Sequence, residues 1–300
     1  MLDIVIDARA AQLGPGFEVA RILPYRKRRM VGPFIFLDHA GPVSLSPVIS
    51  EEMDVLPHPH IGLSTITYIF HGKWMHRDSV GYEQVIKPGD VNWMTAGSGV
   101  SHSERFEEEF RRTGGDLELL QAWVALPEEV EESEPTFHHY EQTQLPHDDA
   151  SGVWLRVIAG EAYGLKSPVQ THSPLFYVHS ELAPEARLKL PEGYSERALY
   201  VARGQVELGG QIYKKGQLLV VEAGKDPVIT ARTPATVMLL GGEPLGKRHI
   251  WWNFVSSSKE RIEQAKADWE SGRIKLPVHD EEEFIPLPGS SKKSDAEPLS

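Results

Sequence analysis

Short apolar runs broken by Gly, Pro, Asn and Asp fill residues 1–126, as in FIFLDHAGP, STITYIFHG and VIKPGDVNWMTAGSG. Strands joined by tight turns account for that spacing better than helices do. Pro127 to Pro135, PEEVEESEP, holds a single apolar residue among acids and prolines, so it contributes little to a core and reads as a linker. From Gly152 to Leu240 the strand-and-turn rhythm resumes in WLRVIAG, LFYVHSEL, RALYVARGQVELGG and ATVMLLGG. One helix is expected after it. Ser257 with Glu260 reads as a capping box, Ile262, Ala265 and Trp269 share a face, and Gly272 supplies the stop. Beyond Asp280 the chain turns acidic and then rich in Ser, Lys and Pro, the composition of a poorly ordered tail.

The two β-rich halves also resemble each other. ITYIFHGKW precedes KPGDVNWMTAG in the first, and ALYVARGQV precedes KKGQLLVVEAG in the second. Superposing Tyr68 on Tyr200 and Gly89 on Gly216 brings Gly72 onto Gly204 and Gly97 onto Gly224. The expected fold is therefore all-β: two pseudo-duplicated β-barrels of jelly-roll type followed by a short helix. The expected limits are 1–130 and 131–285, with 286–300 disordered.

Composition narrows the chemistry. The 43 acidic against 31 basic residues leave a net charge of -12, which repels phosphate backbones and argues against direct nucleic-acid binding. The chain has no cysteine, so disulfides, thiolate metal sites and cysteine nucleophiles are excluded. Any metal must sit on nitrogen and oxygen. Met1 to Ala11 lacks the basic start and apolar run of a signal peptide, and no stretch reaches the roughly 18 apolar residues that span a bilayer. The sequence thus reads as a soluble, cytoplasmic protein.

His58-Pro59-His60 and His102-Ser103-Glu104 carry the clearest chemical signal. On a strand, positions i and i+2 share a face, so each pair aims two donors at one point. A lone strand histidine is more often a satisfied polar residue. Two such pairs, the second following the Pro88-Gly89-Asp90 turn, predict one metal ion held by His58, His60, His102 and Glu104. This mixed set suits iron(II) and also manganese, nickel, copper or zinc, and in an octahedral ion it leaves two positions open. The superposition puts Leu190, Glu192, Ile229 and Ala231 at the corresponding places in the second half. Three of these cannot bind metal, so that barrel is expected to be metal-free. Adjacent His138 and His139, and His147 in a polar turn, read as surface residues, whereas His39, His71 and His76 are near enough in sequence to line a pocket mouth. Trp251 and Trp252 read as a contact for the helix.

HPHIGLSTITYIFHG, KPGDVNWMTAGSGVSHSE, GEAYGLKSP and GGEPL closely resemble the pirin family of bicupins over about residues 1–285. The resemblance implies a metal in the N-terminal cupin on His58, His60, His102 and Glu104, the same four residues. The general cupin motif places a carboxylate where this chain has Ser64, and pirins commonly carry Arg and Glu at Ile61 and Ser64. Two roles follow from the family. One is a quercetinase, a flavonol dioxygenase that opens the central ring with dioxygen and releases carbon monoxide. The other is a regulator that responds to the oxidation state of iron through protein partners. For the first, Glu104 is the candidate base, and Ser64, Trp93 and Met94 are candidate pocket residues for a flat aromatic substrate.

Overall fold

The computed structural model describes residues 1–14 and 17–289. These form two compact units that are not contiguous in sequence. One comprises Met1–Arg9, Ala20–Leu37 and Tyr140–Leu245; the other comprises the described residues of Ala10–Val19, Asp38–His139 and the described residues from Gly246 onward.

Each unit packs a large antiparallel sheet against a four-stranded one. In the unit that carries the histidine pairs, seven strands repeat a pattern found again in the other unit. They are β1 (Val55–His60), β2 (Leu63–His71), β3 (Trp74–Asp78), β4 (Glu83–Ile86), β5 (Val91–Thr95), β6 (Val100–Phe106) and β7 (Gly115–Ala125). Their counterparts are β8 (Arg187–Lys189), β9 (Glu196–Arg203), β10 (Gln205–Leu208), β11 (Gln211–Lys214), β12 (Gln217–Val221), β13 (Val228–Ala231) and β14 (Ala235–Gly242). The small sheets run β1-β6-β3-β4 and β8-β13-β10-β11. The large sheets share the runs β5-β2-β7 and β12-β9-β14, with Phe34–Leu45 beside β7 and Leu175–Leu182 beside β14. The duplication expected from the turn glycines is thus present strand for strand. Gly72 and Gly204 show why glycine recurs: both have positive φ, 93° and 76°, and an added Cβ would fall 2.8 Å from the Leu117 side chain in one case and 2.2 Å from the Pro234 carbonyl in the other.

The two cores differ where chemistry is expected. Leu190, Ile229 and Ala231 are buried in an apolar cluster with Leu188, Val206 and Leu219, while Glu192 is exposed and paired with Lys189. In the histidine-bearing unit, Phe17, Trp74 and Phe106 meet edge-on with ring centroids 5.9–6.4 Å apart. Trp74 and Phe106 are the inward neighbours, two residues along their strands, of His76 and Glu104.

Three segments depart from the compositional reading. The acidic stretch 127–135 is no free linker: Glu131 is buried, ion-paired with Arg248 at 2.8 Å and bonded by the Ser257 amide, while Ser133 contributes its carbonyl to the Ser98 amide. Ser257 is thereby engaged, and the helix Lys259–Glu270 is capped one residue later, by Ser258 accepting from the Arg261 amide. Its buried face is Ile262, Ala265 and Trp269, packed with Trp251 and Trp252. The chain past Asp280 is also held. Asp280 takes a two-pronged contact from Arg105 at 2.7 Å and a bond from Ser103 at 2.6 Å, the Ile285 amide donates to the Pro57 carbonyl, and Leu287 is buried. Residues 290–300 of the expected disordered tail lie outside the described residues. No helix among the described residues is long and apolar enough to cross a membrane.

Candidate metal centre

The site is built on β1, β6 and β3. Antiparallel register sets His102 of β6 opposite His58 of β1 on one side and Asp78 of β3 on the other. A bulge follows, so that Glu104 pairs with Val55 of β1 while facing His76 of β3. The alternation of β1 brings His60 to the same face as His58, and the donor atoms of His58, His60 and His102 all lie within 4.8 Å of one another. All three residues are buried.

Hydrogen bonds on the far side of two rings fix which nitrogen faces the centre. His58 Nδ1 donates to the Leu56 carbonyl at 2.8 Å, and His60 Nδ1 donates to the Asn253 carbonyl at 3.2 Å. Each ring is left with a lone pair on Nε2. Burial pushes the pKa of His58 down to about 4, partly offset by the Leu56 bond. Burial, followed by the neighbouring imidazoles, pushes His60 and His102 well below the usual range. The three rings are therefore neutral at neutral pH. His60 Nε2 and His102 Nε2 stand 3.0 Å apart. Neutral, buried and convergent imidazole nitrogens are a donor set that suits a divalent transition ion.

Glu104 is buried beside this triad, its Oε1 3.3 Å from His102 Nδ1. Burial raises its carboxyl to about 8, so near neutral pH it holds a proton that a nearby cation would expel.

Of the three residues expected to line the pocket, the sheet's alternation brings one inward. Met94 clusters with Phe137, whose ring stacks on His76 at 4.3 Å. Ser64 and Trp93 share the other face of the large sheet: Ser64 pairs with Thr95 and Val124, and Trp93 with Ile66, opposite in phase to the inward Ile69, Leu117 and Leu119. Trp123, not among the residues expected there, lies edge-on to His60 at 5.0 Å. Phe106 belongs to the ring cluster beneath the site.

The structure adds His76 and Asp78. His76 is buried with Nδ1 3.4 Å from His102 Nδ1 and Nε2 3.0 Å from Asp78 Oδ2. The signal was present in WMHRD, where Trp74, His76 and Asp78 are buried and Met75 and Arg77 are not. His39 is instead paired with Glu118, and His71 is exposed. His139, expected at the surface, is half-buried and bonded to Asn92 at 2.7 Å.

Comparison with known proteins agrees with this architecture. The family model for Pirin matches residues 16–124, and that for the Pirin C-terminal cupin domain matches residues 177–275. A pirin-like protein of Caulobacter vibrioides is 57% identical over 289 residues, covering 96% of this chain and 100% of the relative. A pirin-like protein of Solanum lycopersicum is 30% identical, covering 89% of this chain and 90% of its own. The crystal structure of a quercetin 2,3-dioxygenase from Acinetobacter baumannii superposes with a TM-score of 0.88 at 32% identity, covering 98% of this chain and 97% of that one. With its duplicated barrels and both family models matched, the chain belongs to the pirin family of bicupin proteins.

Proposed function

We propose that this protein is an iron-dependent dioxygenase of flavonols, opening the central ring with dioxygen and releasing carbon monoxide. The observation that carries the reading is the buried triad of His58, His60 and His102 with an acid-base group, Glu104, beside it. The likeness to the Acinetobacter quercetin 2,3-dioxygenase supports the substrate class. His58, His60 and His102 would hold the ion, with Glu104 as a fourth ligand. When bound, a divalent ion acidifies a coordinated hydroxyl and brings an electron-rich substrate and dioxygen to one centre. Glu104, left as a carboxylate once an ion has expelled its proton, stands buried beside the triad, where it is placed to accept the proton of the flavonol 3-hydroxyl. Trp123 and Phe137 contribute flat apolar surface next to the imidazoles, and the depressed His58 keeps that ring in its ligating form.

Iron-loaded protein is incubated with quercetin and dioxygen while flavonol absorbance and carbon monoxide are followed. Loss of absorbance with matching carbon monoxide is the expected result. Full iron occupancy with neither signal refutes the proposal.

A further inference from the structure

Two of the three histidines are oriented by backbone carbonyls, Leu56 for His58 and Asn253 for His60. His102 differs. Its Nε2 stands 3.0 Å from His60 Nε2, and its Nδ1 lies 3.3 Å from Glu104 Oε1 and 3.4 Å from His76 Nδ1; once an ion takes Nε2 and the Glu104 proton is gone, its one hydrogen sits on Nδ1 with two acceptors to choose between. Which acceptor takes it decides whether Glu104 is free.

Asp78 bears on that choice. Its Oδ1 accepts three backbone amides, from Val80, Gly81 and Tyr82, each at 3.0 Å. The carboxylate is fully buried and held in one orientation by the turn that follows β3. Its remaining oxygen lies 3.0 Å from His76 Nε2, so the hydrogen of the His76 ring sits on Nε2 and its Nδ1 is left as an acceptor. Phe137, stacked on the ring at 17°, opposes its rotation.

We propose that His76 and Asp78 are positioning residues for the metal centre: they take the Nδ1 hydrogen of His102, direct His102 Nε2 to the ion, and leave the Glu104 carboxylate free. The inference rests on the metal-dependent reading above for its functional meaning, but its structural core is testable without any ion. A carboxylate–imidazole pair behind a ligand also raises that ligand's basicity, and such outer partners commonly alter affinity by about 10–100-fold.

The test uses the full chain with 15N-labelled histidine, first metal-free. Long-range proton–nitrogen spectra should find His76 protonated on Nε2, and His102 on Nδ1 once zinc(II) occupies its Nε2. In His76→Phe, which keeps a ring for Phe137 but no acceptor, the His102 nitrogen shifts should move while those of His58 and His60 stay, which also reports that the fold is intact. Cobalt(II) is then titrated into both proteins; affinity should fall about 10–100-fold in the variant, with the ligand-field spectrum altered. Wild-type His76 protonated on Nδ1 overturns the proposal, whether or not the variant folds. So do unchanged His102 shifts together with unchanged cobalt affinity in His76→Phe. If the wild type binds no cobalt(II) while His76 is protonated on Nε2, the positioning pair stands and the metal-dependent function falls.

Discussion

Loading the centre with an ion should expel one proton, from Glu104, and almost none from the histidines. The perturbation is a calorimetric titration of the metal-free protein with nickel(II) at pH 6, repeated in buffers of different ionisation enthalpy. At that pH a carboxyl raised to about 8 is almost fully protonated, while His58, lowered to about 4, and His60 and His102, lowered well below the usual range, are already neutral. The ion's charge beside Glu104 drives its proton off, so the apparent enthalpy plotted against buffer enthalpy should have a slope of about one proton per ion. Ordinary solvent-exposed values would give a different count: three imidazoles near pKa 6.5 would release about 2.3 protons at pH 6 and the carboxylate almost none. The two accounts also diverge with pH. Release from Glu104 should fade to about 0.1 proton at pH 9, and Glu104→Gln should abolish most of it at pH 6. A slope above two at pH 6, or one unaffected by Glu104→Gln, would falsify the electrostatic reasoning.

The metal-free protein should also lose stability as pH rises. The folded-state pKa of Glu104 is raised, so its contribution is fully present below its unfolded value near 4.5 and is lost as pH climbs through about 8; the span is worth about 5 kcal/mol at most. Glu104→Gln should therefore stabilise the metal-free protein at pH 9 and do little at pH 4, as measured by urea unfolding. Asp280→Ala leaves Arg105 without its two-pronged partner and Ser103 without an acceptor, and should cost about 2–4 kcal/mol, read as a fall in thermal midpoint. Gly97→Ala places a Cβ 2.0 Å from the Ser133 carbonyl at a φ of 50° and should cost about 3 kcal/mol or more in urea unfolding.

The features legible in the sequence are those governed by local alternation. His58 with His60, and the inward direction of His102, follow from period-two geometry inside one strand. The repeat was legible because Gly72 and Gly204 meet the same steric demand at the same corner. Wherever a strand is buried on both faces, that signal fails. VNWMT is buried at every position, so nothing in its pattern says whether Trp93 or Met94 points inward, and the same holds for Trp123 among the buried positions of β7. The pairing of His76 with His102 depends on the register between β3 and β6, a long-range property. Glu131 and Asp280 sit in acidic stretches whose composition suggests solvation, and the buried guanidinium groups of Arg248 and the partly buried Arg105 reverse that reading.

The segment that runs along the outer side of β6 also orders events during synthesis. Ser101, next to His102, donates to the carbonyl of Lys275, 174 residues further along the chain, and Ser103 and Arg105 wait for Asp280. At ordinary ribosomal speed, roughly 5–20 residues per second, the strand is exposed for roughly 10–35 s before these partners emerge. His60 waits longer still, 193 residues, for the Asn253 carbonyl that orients it. A nascent chain therefore passes through a stage in which the imidazoles are made but not yet fixed in the orientation that the finished barrel gives them.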